Sequence, residues 1–186
     1  YWVYEKTGSS ALMGIMSSIS MFMTMLVMPF SGSIIDKCSR KLIIVGMDAL
    51  RGVIMLALGV LAFADSLSVP VVLAAAFLAS ACSVFFSPAV STLMLDIIPH
   101  DDMVRGQSVF SGVNSFINLV GKAISGALVA FLGVPLIVLL NGVSYLVSAF
   151  TELFITVPKT VHQGEKITLR GIFSDFGVAV REIFRN

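Results

Sequence analysis

Charge is scarce in this chain. Asp, Glu, Lys and Arg make up 12% of its residues, against roughly 25% in an ordinary soluble domain. Residues 11–35 carry no charge at all. With 57% of the side chains hydrophobic, a soluble fold would expose more apolar surface than it could keep from aggregating. The chain therefore belongs in a bilayer. Histidine is also rare: His100 and His162 lie in polar connecting segments, with no Ser, Cys or acid at a recognisable spacing. No metal-ligand cluster and no phosphate-cradling glycine loop occurs, so enzyme chemistry and ATP binding within this stretch find no support. No basic patch with interleaved aromatics is present, which argues against nucleic acid as a partner. The two cysteines, Cys38 and Cys82, do not suggest a disulfide, one falling in a loop and the other inside an apolar span.

What the chain does have is membrane-length apolar stretches. A helical span needs roughly 20 apolar residues, and five are read here, at about 11–35, 42–64, 69–98, 107–131 and 134–157. They are too long and too uniformly apolar for barrel strands. The expected fold class is an all-α membrane protein, a polytopic helical bundle with the lipid bilayer as its surroundings. The third span is long, so a tilt, a bend at Pro88 or a projecting end is expected. Short connections force neighbouring helices to run antiparallel. Tyr1, Trp2 and Tyr4 form an aromatic cluster of the kind found at membrane surfaces.

After Pro158 the composition turns polar. Residues 158–186 read as a linker ending in an amphipathic helix, in which Leu169, Ile172, Phe173, Phe176, Val180, Ile183 and Phe184 recur at helical spacing. That helix could lie on the membrane surface, pack on its own protein or lead into a further span. Lys and Arg set the orientation. Lys37, Arg40 and Lys41 lie in loop 36–41, Arg105 in loop 99–106, and five more cations in the tail; the opposite side has only Lys6. The positive-inside rule makes the first three sets cytoplasmic.

The segment Gly32 to Lys41 reads G-x-x-x-D-K-x-S-R-K, with Gly32, Asp36, Lys37, Arg40 and Lys41 at its fixed positions. Gly14 and Gly32, with the small residues Ser31 and Ser33, allow close helix approach where the chain turns, and Asp36 followed by three cations can hold an ion-pair arrangement in one conformation and release it in another. The bland reading is a basic loop obeying positive-inside. The pattern resembles the loop signature of the major facilitator superfamily of secondary transporters, G-x-x-x-D-[RK]-x-G-R-[RK], with Ser39 in place of the usual Gly. A left-handed turn at Ser39 would be less comfortable than at Gly. Asp48-Ala49-Leu50-Arg51, Phe86-Ser87-Pro88-Ala89 and Asp96-Ile97-Ile98-Pro99 with Asp101, Arg105 and Ser108 are similar to the branch that exports drugs, macrolides and siderophores. The resemblance covers nearly the whole chain and implies helices 2–6 of a twelve-helix protein. Residues 1–157 would then be most of an amino-terminal bundle, partnered by a first helix and a second half outside this stretch. It also implies a bacterial cytoplasmic membrane, a small-molecule substrate, no bound cofactor and a proton gradient as the energy source.

Several polar residues fall inside the spans. Asp48 and Arg51 sit one turn apart in the second; they read either as a protonation or gating element or as a static ion pair. Asn114, Asn118 and Lys122 recur every four residues in the fourth, with Ser111 and Ser125 on the same face, a stripe suited to a watery cavity or to other helices. At Gly121-Lys122-Ala123-Ile124-Ser125-Gly126 the family antiporter pattern G-P-x-x-G-G has Lys for Pro and Ser for Gly. Lys122 would meet either an anionic substrate group or an acid elsewhere in the protein. The last span carries Asn141, Ser144, Tyr145, Ser148 and Glu152 at helical spacing, Glu152 being a minor candidate for coupling. Gly32, Asp36, Lys37, Arg40 and Lys41 are thus the gating candidates, and Asp48, Arg51, Lys122 and Glu152 the intramembrane charge candidates. Asn114, Asn118, Lys122, Asn141 and Tyr145 are the cavity candidates. The rival class is a membrane scaffold or assembly subunit with no transport cycle.

Overall fold

The computed structural model describes residues 2–157, with the side chains at 29, 30, 33, 36 and 37 left out; the expected linker and amphipathic helix at 158–186 lie outside the described residues. In chain order the elements are α1 (Trp2–Thr7), α2 (Ser10–Lys37), α3 (Arg40–Phe63), α4 (Val69–Ile97), a 3-10 turn (His100–Asp102) and α5 (Met103–Glu152). Among the described residues all regular structure is helical. This suits a bilayer, where a helix satisfies its own backbone groups without water. Among the described residues, four helices are long and apolar enough to cross a membrane.

The helix ends follow local chemistry. Ser9 caps α2, its hydroxyl accepting from the Leu12 amide at 3.4 Å. Pro70 falls in the first turn of α4, where its missing N–H costs nothing. The α4 helix is assigned continuously through Pro88 to Ile97, and the Thr92 hydroxyl donates to the Pro88 carbonyl at 2.6 Å. The turn between α2 and α3 is shorter than loop 36–41: Asp36 and Lys37 complete α2, Arg40 and Lys41 open α3, and only Cys38 and Ser39 lie between. Ser39 has φ −64° and ψ 112°. The expected discomfort of a left-handed turn does not arise, because the reversal is made with extended backbone that any residue adopts.

The fourth and fifth expected spans are the two limbs of α5, which breaks at the expected connection. It is interrupted at Gly133, with φ 73° and ψ 159°, values that a side chain would disfavour. Gly133 divides it into a first limb (103–132) and a second limb (134–152). The second limb ends at Glu152, short of the expected 157, and tightens into i→i+3 bonds as Leu153, Phe154 and Ile155 donate to Phe150, Thr151 and Glu152.

The second limb packs antiparallel on α3. Gly52 faces Leu146, Gly59 faces Leu139, and Gly142 faces Leu56, so small residues let the two helices meet closely. Close approach was expected instead at Gly14 and Gly32, yet no described atom lies within 4 Å of a side chain built at either. Next to this pair, α4 packs on α3, and α2 packs on α4, where the Ser20 and Ser80 hydroxyls meet at 2.8 Å. Ile35, Ile44, Ala89 and Leu93 from α2, α3 and α4 form a buried cluster near the α2–α3 turn.

A methyl group at Gly142 would sit 2.8 Å from the Leu56 backbone nitrogen, and backbone cannot yield as a side chain end can. Gly142→Val should therefore destabilise the α3–α5 packing by about 1–3 kcal/mol. Gly121→Ala, with open space around it, should change stability little. Denaturant unfolding in detergent micelles checks both, and equal effects would contradict the packing described.

Candidate functional site

At the end of the bundle where α2 turns into α3, two contacts tie separate helices together. The Arg40 guanidinium pairs with the Asp96 carboxylate at the end of α4. The Lys41 ammonium donates to the Leu153 carbonyl at 2.7 Å. Helix carbonyls left open at a C-terminus are natural acceptors for a lysine. The first turn of α3 thus grips the last turn of α4 with one residue and the end of α5 with the next. Gly32 lies on α2 just before this turn and is exposed among the described residues. The side chains of Asp36 and Lys37 lie outside the described set.

A second polar group lies deeper. Asp48 and Arg51 are almost completely buried, at 3% and 6% exposure, about 12–17 Å along α3 from Arg40 at 1.5 Å per residue. They form an ion pair of 3.1 Å within one turn. The Arg51 guanidinium also lies 4.7 Å from the Phe86 ring of α4 and 5.7 Å from the Tyr145 ring of α5. Stacking of this kind suits a weakly hydrated, planar cation and gains strength when water is excluded. Glu152 completes the group. Its Oε1 accepts from Ser148 at 3.3 Å, and Asp48 and Arg51 both act on its carboxyl. Cys82 of α4 is buried beside the same pair. The two acids and one base come from α3 and α5, and α4 adds the Phe86 ring.

The other expected residues do not join this group. Asn114 and Asn118 donate to the carbonyls of Phe110 and Asn114, four residues back on their own helix, at 3.0 and 2.9 Å. Lys122 is exposed on the first limb, beside Ser125, whose hydroxyl donates to the Lys122 carbonyl. Asn141 is exposed and accepts from Ser144 through its carbonyl. Tyr145, expected in a cavity with Asn118 and Lys122, instead stacks toward Arg51. An open groove of about 550 Å³ lies at the start of α5, between Ile98, Asp102, Arg105, Val109, Phe110 and Val113. None of the five cavity candidates lines it.

Three members of these clusters escaped the sequence reading as site residues: Asp96, Phe86 and Ser148. Asp96 carried a usable signal, since it closes a span on the same side as the basic turn. Phe86 was visible only as part of the Phe86-Ser87-Pro88-Ala89 resemblance and Ser148 only as a member of the last span's polar stripe, neither of which indicates a contact within this group.

The model of the Major Facilitator Superfamily matches residues 1–186. This chain belongs to that family of membrane transporters. It is 32% identical over 163 residues to a putative bacilysin exporter, BacE, of Bacillus amyloliquefaciens, covering 87% of this chain and 40% of the relative. A BacE of Bacillus subtilis strain 168 is 31% identical over the same length. Macrolide efflux protein A of Streptococcus pyogenes is 21% identical over 159 residues, covering 86% of this chain and 39% of the relative. The chain thus spans about two fifths of the length of the curated relatives it matches. No solved structure matches it.

The buried pair yields a comparison of single and double changes. Arg51→Met leaves Asp48 without its cation and should cost about 3–5 kcal/mol of stability, whereas Asp48→Leu with Arg51→Met together should cost clearly less. Denaturant titration of the single and double variants in detergent decides it, and a double variant as unstable as the sum of the singles would contradict the pairing.

Proposed function

We propose that this chain is part of the amino-terminal half of a proton-driven exporter of small amphipathic molecules. It would work by rocking of this bundle against a second one about a site near the membrane midplane. Membership of the transporter family, with relatives named as exporters of bacilysin and of macrolides, carries this reading. The integral helices and bacterial relatives point to the cytoplasmic membrane. On this reading residues 158–186 link the two halves, and the α2–α3 turn, the α4–α5 connection and that linker face the cytoplasm.

The contacts at the α2–α3 turn support a gating role. Arg40 and Lys41 are adjacent residues gripping two different helices, so a movement of α3's first turn disturbs both contacts together. Ion pairs at the membrane surface are only partly desolvated, and each is weak enough to exchange during a transport cycle. In the expected mechanism, Gly32, Asp36, Lys37, Arg40 and Lys41 stabilise one conformation through such contacts. The exposed stripe of Asn114, Asn118 and Lys122, with Asn141 on the second limb, would face the substrate path or the protein's remaining helices. An intramembrane lysine on that path would favour substrates with an anionic or zwitterionic group.

Efflux from cells carrying the full-length protein tests the reading. An uncoupler that collapses the proton gradient should abolish efflux. Asp36→Asn and Lys122→Ala should each slow it by roughly tenfold, about 1.4 kcal/mol on the limiting barrier. Efflux that survives the uncoupler removes proton coupling. Transport unchanged in both variants removes the gating and cavity assignments, and no transport of any amphipathic compound favours a scaffold.

A further inference from the structure

The groove at the start of α5 has a composition that the gating and cavity assignments leave unused. It opens where the 3-10 turn leads into the first limb, and its volume of about 550 Å³ falls within the roughly 300–1,000 Å³ of small-molecule sites. A close contact makes its floor: a methyl at Gly106 would lie 2.6 Å from the Ile98 side chain, so only hydrogen there lets Ile98 lie across the helix. Val109, Phe110 and Val113 line it and are exposed. They sit about 6–12 Å further along the helix than Arg105, at 1.5 Å per residue. The charged groups, Asp102 and Arg105, are both at the other end, three residues apart on one face. Both are exposed. Asp102 precedes the first turn of α5 without making a side-chain cap bond, and neither it nor Arg105 has an ion-pair partner among the described residues. Beyond the groove, Phe116, Ile117, Val120 and Ile124 prolong its apolar face at helical spacing. At about 100° per residue that face is opposite the stripe of Asn114, Asn118 and Lys122. When the polar side of a membrane helix turns to protein or water, the opposite apolar side is the one left to lipid.

We propose that this groove binds one zwitterionic membrane phospholipid whose headgroup carries a primary ammonium. Its phosphate sits on Arg105, its ammonium on Asp102, and one acyl chain runs along Val109, Phe110 and Val113. The planar guanidinium suits a phosphate, and an ammonium N–H gives the carboxylate a charge-assisted hydrogen bond. Complementary charge selects this headgroup over two others. A lipid with net negative charge satisfies Arg105 but brings a like charge to Asp101 and Asp102. A quaternary ammonium has no N–H to donate to Asp102. A protein helix covering the groove would have to offer an acid and a base at this spacing beside an apolar ridge, whereas one lipid molecule carries all three. The site needs only that the first limb crosses a bilayer, so it stands apart from the export reading.

Native mass spectrometry of the full-length protein provides the test, with phosphatidylethanolamine, phosphatidylglycerol and phosphatidylcholine of identical acyl chains as the probes. Phosphatidylethanolamine should bind about fivefold or more tightly than either of the others. Arg105→Gln should weaken it by about tenfold, the loss expected of a hydrogen bond between charged groups. Asp102→Asn should bring phosphatidylethanolamine and phosphatidylglycerol to within about twofold of each other, because the carboxylate that separates them is gone. Asp65→Asn, in the connection between α3 and α4, should leave the ranking unchanged. Phosphatidylethanolamine with a photoreactive group in its acyl chain should label residues 109–113. Equal affinity for the three lipids, an unaltered ranking in Asp102→Asn, or labelling only outside the groove overturns the proposal; labelling only elsewhere is the outcome if another part of the protein covers the groove. If Arg105→Gln fails to fold, the wild-type ranking and Asp102→Asn, at an exposed carboxylate with no cap bond to lose, still decide.

Discussion

A guanidinium taken out of water must find its hydration replaced atom by atom, and Arg51 shows how that demand organises a bundle. Asp48, on the same helix, supplies the opposite charge at 3.1 Å. Phe86 from α4 and Tyr145 from α5 supply aromatic rings on which the cation rests. Each aromatic contact is worth roughly 2 kcal/mol when water is excluded. No helix could meet the requirement alone, since only Asp48 lies within reach on α3. Burying this one charge therefore joins three helices at a defined height, and displacing any of them exposes or strands a cation.

Such a junction requires the helices to come close. Gly52 is the residue after Arg51, and Gly142 precedes Tyr145 by less than one turn. Where a methyl at Gly52 would strike Leu146 and one at Gly142 would strike the Leu56 backbone, hydrogen in its place lets α3 and α5 approach. In lipid, where burial of apolar surface drives association little, tight van der Waals packing between small residues is a main source of helix–helix affinity. The glycines and the buried charge are thus two parts of one interface. The contacts of Arg40 with Asp96 and of Lys41 with Leu153 close the same helices at their ends.

The long apolar runs announced the helices, because a bilayer leaves a spanning chain few alternatives. The turn at Gly133 was visible as Leu132-Gly133, and Gly is the residue that tolerates its positive φ. Asp48 and Arg51 were legible as a pair, since three residues make nearly one turn and partners on the same helix can be counted. Contacts between helices were not. The small residues at Gly14 and Gly32 looked as suitable for close approach as Gly52, Gly59 and Gly142, and only the last three meet another helix among the described residues. Tyr145 shared a polar stripe with Asn141 and Ser144, which suggested a cavity, yet its ring turns toward Arg51.

The sequence by itself determined the solvent of this protein, its helical character, the position of its basic turn and the pairing of charges one turn apart. Each of these follows from local composition or from the fixed 3.6-residue period. The tertiary structure alone decided that Arg40 reaches Asp96, that Lys41 reaches the Leu153 carbonyl, and that Phe86 and Tyr145 flank Arg51. These depend on the rotation and spacing of one helix against another. Rotation and spacing are set by which small residues interlock, and many rotations of an apolar helix present nearly the same hydropathy to lipid.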